Sequence, residues 1–275
     1  MNRTFAREIA AAGLPTGSER PLPPITDADV QALPDPARRY LRFMNVIGRP
    51  RDWSFRAHMT GRFRTRPDQA WMPMEAWQYD SGLEIARVFH LRLRMFGVLP
   101  VLGRDTYLRG DGRMLIRPLD LFTAQDVTGP EIQLSELVTY LNDAVLFAPS
   151  FLFRPEVAWS AWSSWSSPSP RAADGFALAL THGGQTVTAQ VSVDHRGALT
   201  TFSTTDRFVQ DPHRRDHPLT RARWSTPVGG WQSVDGRTVP TSGEAIWHLP
   251  EGDFAYADMR FAATDIAFNV PPQGP

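Results

Sequence analysis

Few residues of this chain combine the type and the spacing that chemistry requires. The densest run is DPHRRDH, residues 211–217. On a helix, His213 and His217 would stand at i and i+4 beside Asp216, which is metal-ligand spacing. Pro212 and Pro218 bracket the run and make it a solvated turn instead. No metal is therefore expected. Two acid–base neighbours lie on strand-like segments, Arg104-Asp105 and Asp206-Arg207. A buried Asp–Arg pair is costly to make and costly to break. Both are read first as structural pairs, with a pocket role as the alternative. Glu244, Trp247 and Tyr256 fall on C-terminal segments that follow Trp224 and Trp231. One carboxylate among aromatic rings suits a pocket for an apolar ligand with a polar handle. The same residues also suit a Trp-rich β core.

Other chemistries are excluded by what the sequence lacks. It has no cysteine, so disulfides, thiolate metal sites and a Cys nucleophile are ruled out. It has no lysine, every basic residue but histidine being arginine, which removes the lysine-containing phosphate loop. No G-x-S-x-G nucleophile elbow and no G-x-G-x-x-G fingerprint occurs. No cofactor is expected. An acid–base enzyme using Asp105, Asp206 or Glu244 stays open on sequence grounds.

Positioning these residues falls mainly to β-structure. From Trp53 the segment WSFRAHMTGRF alternates strictly, with Phe55, Ala57, Met59 and Phe63 on one face and Arg56, His58 and Arg62 on the other. RVFHLRLRMF repeats the device, with Phe89, Leu91, Leu93 and Met95 against His90, Arg92 and Arg94. Gly183-Gly184, Asp111-Gly112, Asp235-Gly236 and Gly197 mark turns. About ten to twelve strands at the spacing of an all-β sheet follow, and tight turns between long strands favour an up-and-down meander. The Ser/Pro-rich stretch after Trp159 reads as a surface excursion.

Helices are few. Residues 1–24 read as a poorly ordered arm, and 25–275 as one β-rich domain. A helical cap is expected over 27–47, with Thr26 as N-cap, Asp27 and Asp29 in the first turn, Pro36 opening a second helix and Gly48 ending it. A core helix is expected over 134–148. There Leu134, Leu137, Val138, Leu141, Ala144, Val145 and Ala148 form one apolar stripe, with Glu136, Thr139, Asn142 and Asp143 off it, Ser135 as cap and Pro149 as the stop.

The formal net charge is zero, which argues against a general nucleic-acid binder. No apolar run reaches the ~18 residues of a transmembrane helix. The N-terminal residues lack a signal-peptide core, so the cytoplasm is the default compartment. The arginines at 56, 62, 64, 92 and 94 form a basic face that is either a solvated outer surface or a partner site.

The blocks TYLNDAVLFAPSFLF, FSTTDRF, ARWSTPVGGW, DGRTVP and EAIWHL…FAYADM, entered through LPDPARRYLRF, together resemble an uncharacterised bacterial family built on a domain of unknown function. The resemblance covers roughly residues 30–270. It implies a curved, incompletely closed antiparallel sheet wrapped around a helix, similar to the half-barrels of lipoprotein carriers, which hold acyl chains on the concave face. It implies no catalytic residues. The fold class expected is thus α+β, mostly β. The expected function is binding of a hydrophobic or amphipathic small molecule between sheet and helix. Phe55, Met59, Phe89, Leu91 and Leu93 would form the walls, Tyr140 and Phe147 the helix side, and Trp224, Trp247 and Tyr256 the mouth. Asp105, Asp206, Arg207 and Glu244 are the polar candidates.

Overall fold

The structure is a computed structural model. It describes residues 3–18, 21–95, 97–119, 121–162, 174–210 and 218–272. Its thirteen strands form one antiparallel sheet. The first half holds β1 (Ser54–Phe63), β2 (Met72–Ser81), β3 (Ala86–Met95), β4 (Leu99–Leu108), β5 (Asp111–Pro118) and β6 (Gln125–Thr128). The second holds β7 (Val157–Ala161), β8 (Asp174–His182), β9 (Gln185–Val193), β10 (Leu199–Val209), β11 (Thr220–Val234), β12 (Arg237–Leu249) and β13 (Gly252–Phe268). Each half is an up-and-down meander. The halves join where β1 pairs with β13, so β6 and β7 are the two edges of the sheet.

That order dictates the curvature. The chain must pass from the β6 edge to the β7 edge, and its main means is the helix Pro130–Phe147. Eighteen helical residues span ~27 Å, and the turn at Pro149–Leu152 is compact. Thirteen flat strands would spread over roughly 55–60 Å. The sheet therefore curls around the helix. Gln133 marks the closure: its side-chain amide donates to the carbonyls of Gly110 and Gly183, which lie in the β4–β5 and β8–β9 turns of opposite halves.

Two shorter helices, α2 (Asp27–Gln31) and α3 (Asp35–Phe43), cap one end. Thr26 is the N-cap, as expected, and its reciprocal bonds with Asp29 complete a capping box. The end of α3 differs from expectation. It closes at Phe43, and Asn45 takes the left-handed conformation (φ 57°), three residues before Gly48. Tyr40 of α3 donates to the Val145 carbonyl at 2.6 Å, which pins the cap to the central helix.

Residues Arg3–Ala11 form helix α1, where the sequence reading expects a poorly ordered arm. Phe5 and Ile9 are fully buried on the outer face of the sheet, against Trp77, Tyr79 and Val88. The nine-residue apolar pattern is too short to announce a docking surface, because the receiving side chains sit on β2 and β3. The central helix, α4 hereafter, also departs from expectation. It begins at Pro130 with Gly129 as N-cap, and Ser135 instead accepts a bond from the Phe208 amide. Every residue from Leu134 to Phe147 is buried. It is a fully enclosed helix rather than an amphipathic one. No helix among the described residues is long and apolar enough to cross a membrane.

Candidate functional site

The polar residues of α4 are buried because the sheet presents partners to them. On β2, Met72, Met74, Ala76, Gln78 and Asp80 alternate towards the helix, so the strand turns polar on its inner face near its end. On β3, Arg87 is in phase with Phe89, Leu91 and Leu93. Arg87 Nε donates to Asp143 Oδ2 at 2.7 Å, and its Nη1 donates to Glu136 Oε2 at 3.1 Å. Gln78 Nε2 reaches Asp143 at 2.7 Å and Asp80 at 3.1 Å. Asn142 donates to Asp143 and accepts from the Thr226 hydroxyl of β11. The cluster thus ties both halves of the sheet to the middle of α4.

A second cation, Arg207 of β10, stands at the side of this cluster. Its guanidinium lies over the Trp224 ring at 4.2 Å and the Trp247 ring at 5.3 Å, and donates to the Tyr256 hydroxyl at 3.0 Å. It is close enough to act electrostatically on Asp105 and Glu136. Four carboxylates, those of Asp80, Asp105, Glu136 and Asp143, therefore share two guanidiniums. Full ionisation would leave two uncompensated negative charges inside the protein, which a low-dielectric interior opposes. Burial pushes the Glu136 carboxyl up to about 8, and the Asp105 carboxylate adds to the push. Burial, and then Asp143, hold Asp80 well above its ordinary range. Asp105 is raised by burial against the opposing pull of Arg87 and Arg207. One oxygen of Asp80 and the Nε of Arg207 are buried without a hydrogen-bond partner.

A carboxyl whose folded-state pKa lies above its unfolded value binds more protons when folded, so stability falls as pH rises between the two values. For Glu136 that window runs from 4.5 to about 8, with a slope of at most ~1.4 kcal/mol per pH unit. Glu136→Gln keeps an acceptor for Arg87 and removes the titration. Urea unfolding at several pH values across the window is expected to show a stability decline in the wild type and a shallower one in the variant. Equal slopes would assign the proton uptake elsewhere.

The sequence candidates separate into three groups. Phe55, Met59, Leu93, Tyr140, Phe147, Trp224 and Trp247 are buried in the packed interior. Phe89, Leu91 and Tyr256 are half-buried. Ile116, Val209 and Ala222 are also half-buried, and cross-strand pairing puts Asp105 beside Phe89, Ile116 on the face of Leu91 and Arg207 beside Ala222. The third group leaves the inner face. Glu244 is exposed, on the face opposite Ala245 and Trp247. Asp206 accepts from the amide and hydroxyl of Thr188, with Arg221 3.6 Å away. The Arg104-Asp105 and Asp206-Arg207 pairings do not form, because adjacent strand residues point to opposite faces.

The basic outer face is largely occupied. Arg62 pairs with Asp258 at 2.9 Å and Arg92 pairs with Glu75. Arg62 and Arg64 also stack over Trp71. Among the described residues no group of three His, Asp or Glu side chains is placed to hold a metal. The DPHRRDH run and most of the Ser/Pro stretch lie outside the described residues. Two concavities lie elsewhere. One, of about 260 Å³, is lined by Glu84, Arg109, Arg154 and His182, and the other, of about 220 Å³, by Arg51, Asp52, Phe151 and Phe153. The space expected between helix and sheet is filled by α4 and its partners.

Arg87, Gln78, Asp80, Glu136 and Asp143 were not singled out as site residues from sequence. The usable signal was phase: Arg87, Gln78 and Asp80 alternate with core residues rather than with the outer arginines.

Residues 23–259 match a family described as a family of unknown function, DUF6544. No curated protein matches. A LolA superfamily protein from Nitrosomonas europaea is 14% identical, covering 84% of this chain and 92% of its own, with a TM-score of 0.42. A protein named as an outer membrane lipoprotein-sorting protein domain, from Vibrio parahaemolyticus, is 10% identical, covering 78% and 85%, also with a TM-score of 0.42.

Proposed function

The chain belongs to the DUF6544 family, whose function is unknown, and from that premise we propose that it binds one hydrophobic or amphipathic small molecule at the mouth beside α4. The observation that carries this reading is the contrast along the inner face. Apolar side chains there are sealed wherever α4 covers them. Phe89, Leu91, Ile116, Val209, Ala222 and Tyr256 stay only half-buried, with Asp105 beside Phe89 and Arg207 beside Ala222 and Tyr256. Apolar walls with a few convergent polar groups are the usual make-up of a small-molecule site. The ligand's apolar part would lie along Phe89 and Leu91. Its polar end would meet Arg207, whose Nε lacks a partner, and the half-buried Asp105. This is a shallow site at the edge of a filled cup, not a tunnel through it, so a ligand of modest length fits best.

Native mass spectrometry of the purified protein, followed by denaturing extraction, tests for a co-purifying acyl compound. Titration with dodecanoate and with a lysophospholipid, read by tryptophan fluorescence, tests binding directly, since Trp224 and Trp247 stack on Arg207. Leu91→Arg puts a charge on the apolar wall at a half-buried position, and is expected to weaken binding about tenfold or more. A clean apo mass with no fluorescence response to either probe, or equal binding by the variant, would remove the mouth as a ligand site.

A further inference from the structure

We propose that Ser225, His248 and Asp253 form a separate site, on the outer face of the sheet, that hydrolyses short-chain carboxylic esters. The Ser225 hydroxyl lies 2.8 Å from His248 Nε2, and His248 Nδ1 lies 2.7 Å from Asp253 Oδ1. An ionised carboxylate only accepts, so Nδ1 carries the ring proton and Nε2 of the neutral imidazole is left as acceptor. Ser225 therefore donates to Nε2. This is the order of nucleophile, base and orienting carboxylate used in acyl transfer, an arrangement defined by geometry and not by sequence position. The lack of a G-x-S-x-G elbow removes only one of the scaffolds that carry it.

Ladder register builds the constellation. Trp224 and Trp247 point into the core, so Ser225 and His248 point outward. His248 of β12 stands directly opposite Arg223 of β11 on one side and Asp253 of β13 on the other. Ser225 pairs with Ile246, which places it diagonally from His248, a spacing of ~7–8 Å that a long side chain covers. The inner face locks this backbone, with Trp224 in the core and Thr226 donating to Asn142 of α4. Ser225 is 6% exposed, which keeps its hydroxyl from bulk water. The His248 side chain is 25% exposed and leaves a carbonyl its approach. Arg223, exposed beside the ring, is the cation for charge that develops on the carbonyl oxygen. Arg221 and Asp206, further along this face, lie 3.6 Å apart. An open strand face suits a short acyl group. In the reaction, Ser225 Oγ bonds to the ester carbonyl carbon and its proton passes to Nε2. The bond from that carbon to the alcohol oxygen breaks, and the alcohol takes the proton from Nε2, leaving an acyl-serine. Water then attacks the same carbon and gives a proton to Nε2, and Ser225 Oγ leaves with it. The sum is ester plus water giving acid plus alcohol. The site does not require that the mouth hold a ligand.

Incubation of the full chain with a fluorophosphonate, followed by peptide mass spectrometry, tests the nucleophile, and 4-nitrophenyl acetate and butyrate test turnover. The expected results are a phosphonyl adduct on Ser225 and saturable release of 4-nitrophenol, faster from the acetate. Ser225→Ala is expected to lose the adduct and about a hundredfold or more of the turnover, and His248→Gln to do the same. Asp253 is a positioning residue, since it meets the ring and not the ester. Asp253→Asn is expected to lower kcat about tenfold or more with KM unchanged, because an amide no longer fixes the tautomer. Should Ser225→Ala fold poorly, the site of the adduct on the wild type decides by itself. Wild-type protein with no adduct on Ser225 overturns the proposal. So does 4-nitrophenol release that survives Ser225→Ala, or an Asp253→Asn variant with the wild-type kcat.

Discussion

Replacing Arg87 by methionine is expected to lower unfolding free energy by about 3–5 kcal/mol, the range for removing one partner of a buried ion pair. Arg87 is 4% exposed and donates to Asp143 and Glu136. Methionine fills much of the stem's volume and supplies no donor. Two buried carboxyls would then lose their direct cation, and Asp80 and Asp105 would lose its field. The loss depends on pH with a definite sign. Arg87 opposes the upward push on Glu136, Asp80 and Asp105, so its removal raises all three further. Raised carboxyl values disfavour the folded state increasingly as pH rises. The deficit is therefore expected to be smaller near pH 5 than near pH 8. Denaturant unfolding of both proteins at the two values measures it. A deficit that grows on acidification would contradict the shared-charge account. Substituting the whole cluster by apolar residues is expected to cost far less than the single change, since no carboxyl would be left stranded.

Phe147→Ala is expected to cost a similar ~3–5 kcal/mol, the range for a large aromatic deleted from a core. Phe147 is 2% exposed. Its ring meets Phe261 edge-on at 5.1 Å and Phe55 at 5.4 Å. These neighbours come from β13 and β1, the strands that join the two halves of the sheet. The walls of the hole would be strands held by ladder hydrogen bonds on both sides, which resist collapse. Phe89→Ala, at the half-buried mouth, is expected to cost clearly less, because less surface returns to water. Thermal and urea unfolding of the two variants compare them. Equal losses would mean that Phe89 is as enclosed as Phe147, and would weaken the case for an open mouth.

How much of this was legible beforehand varies by element. The alternation through Phe55, Ala57 and Met59, and again through Phe89, Leu91 and Leu93, marks strands and their inner faces because side-chain direction in a strand has period two. The Thr26 N-cap with its first-turn acids and the Gly183-Gly184 and Asp235-Gly236 turns are local, so three or four residues suffice to specify them. The breaking effect of Pro149 on α4 is local too. All of these survive in the structure.

What needed the tertiary structure is whatever depends on the partner. Glu136, Asn142 and Asp143 look solvated when α4 is read alone, since polar residues normally occupy a helix's wet side. They are buried because a polar stripe on β2, β3 and β11 meets them, and the residues of that stripe are 56 or more positions away along the chain from Asp143. Asp105 and Asp206 each sit beside an arginine in the sequence, and each points away from it in the sheet. The outward packing of α1 depends in the same way on Trp77 and Tyr79. The sequence by itself determined the meander, the presence of a helix ending at Pro149 and which strand face is apolar, through period and local turn chemistry. Only the tertiary structure decided that the cup is filled and that its centre is charged, because those depend on how the curl of the sheet brings distant side chains together.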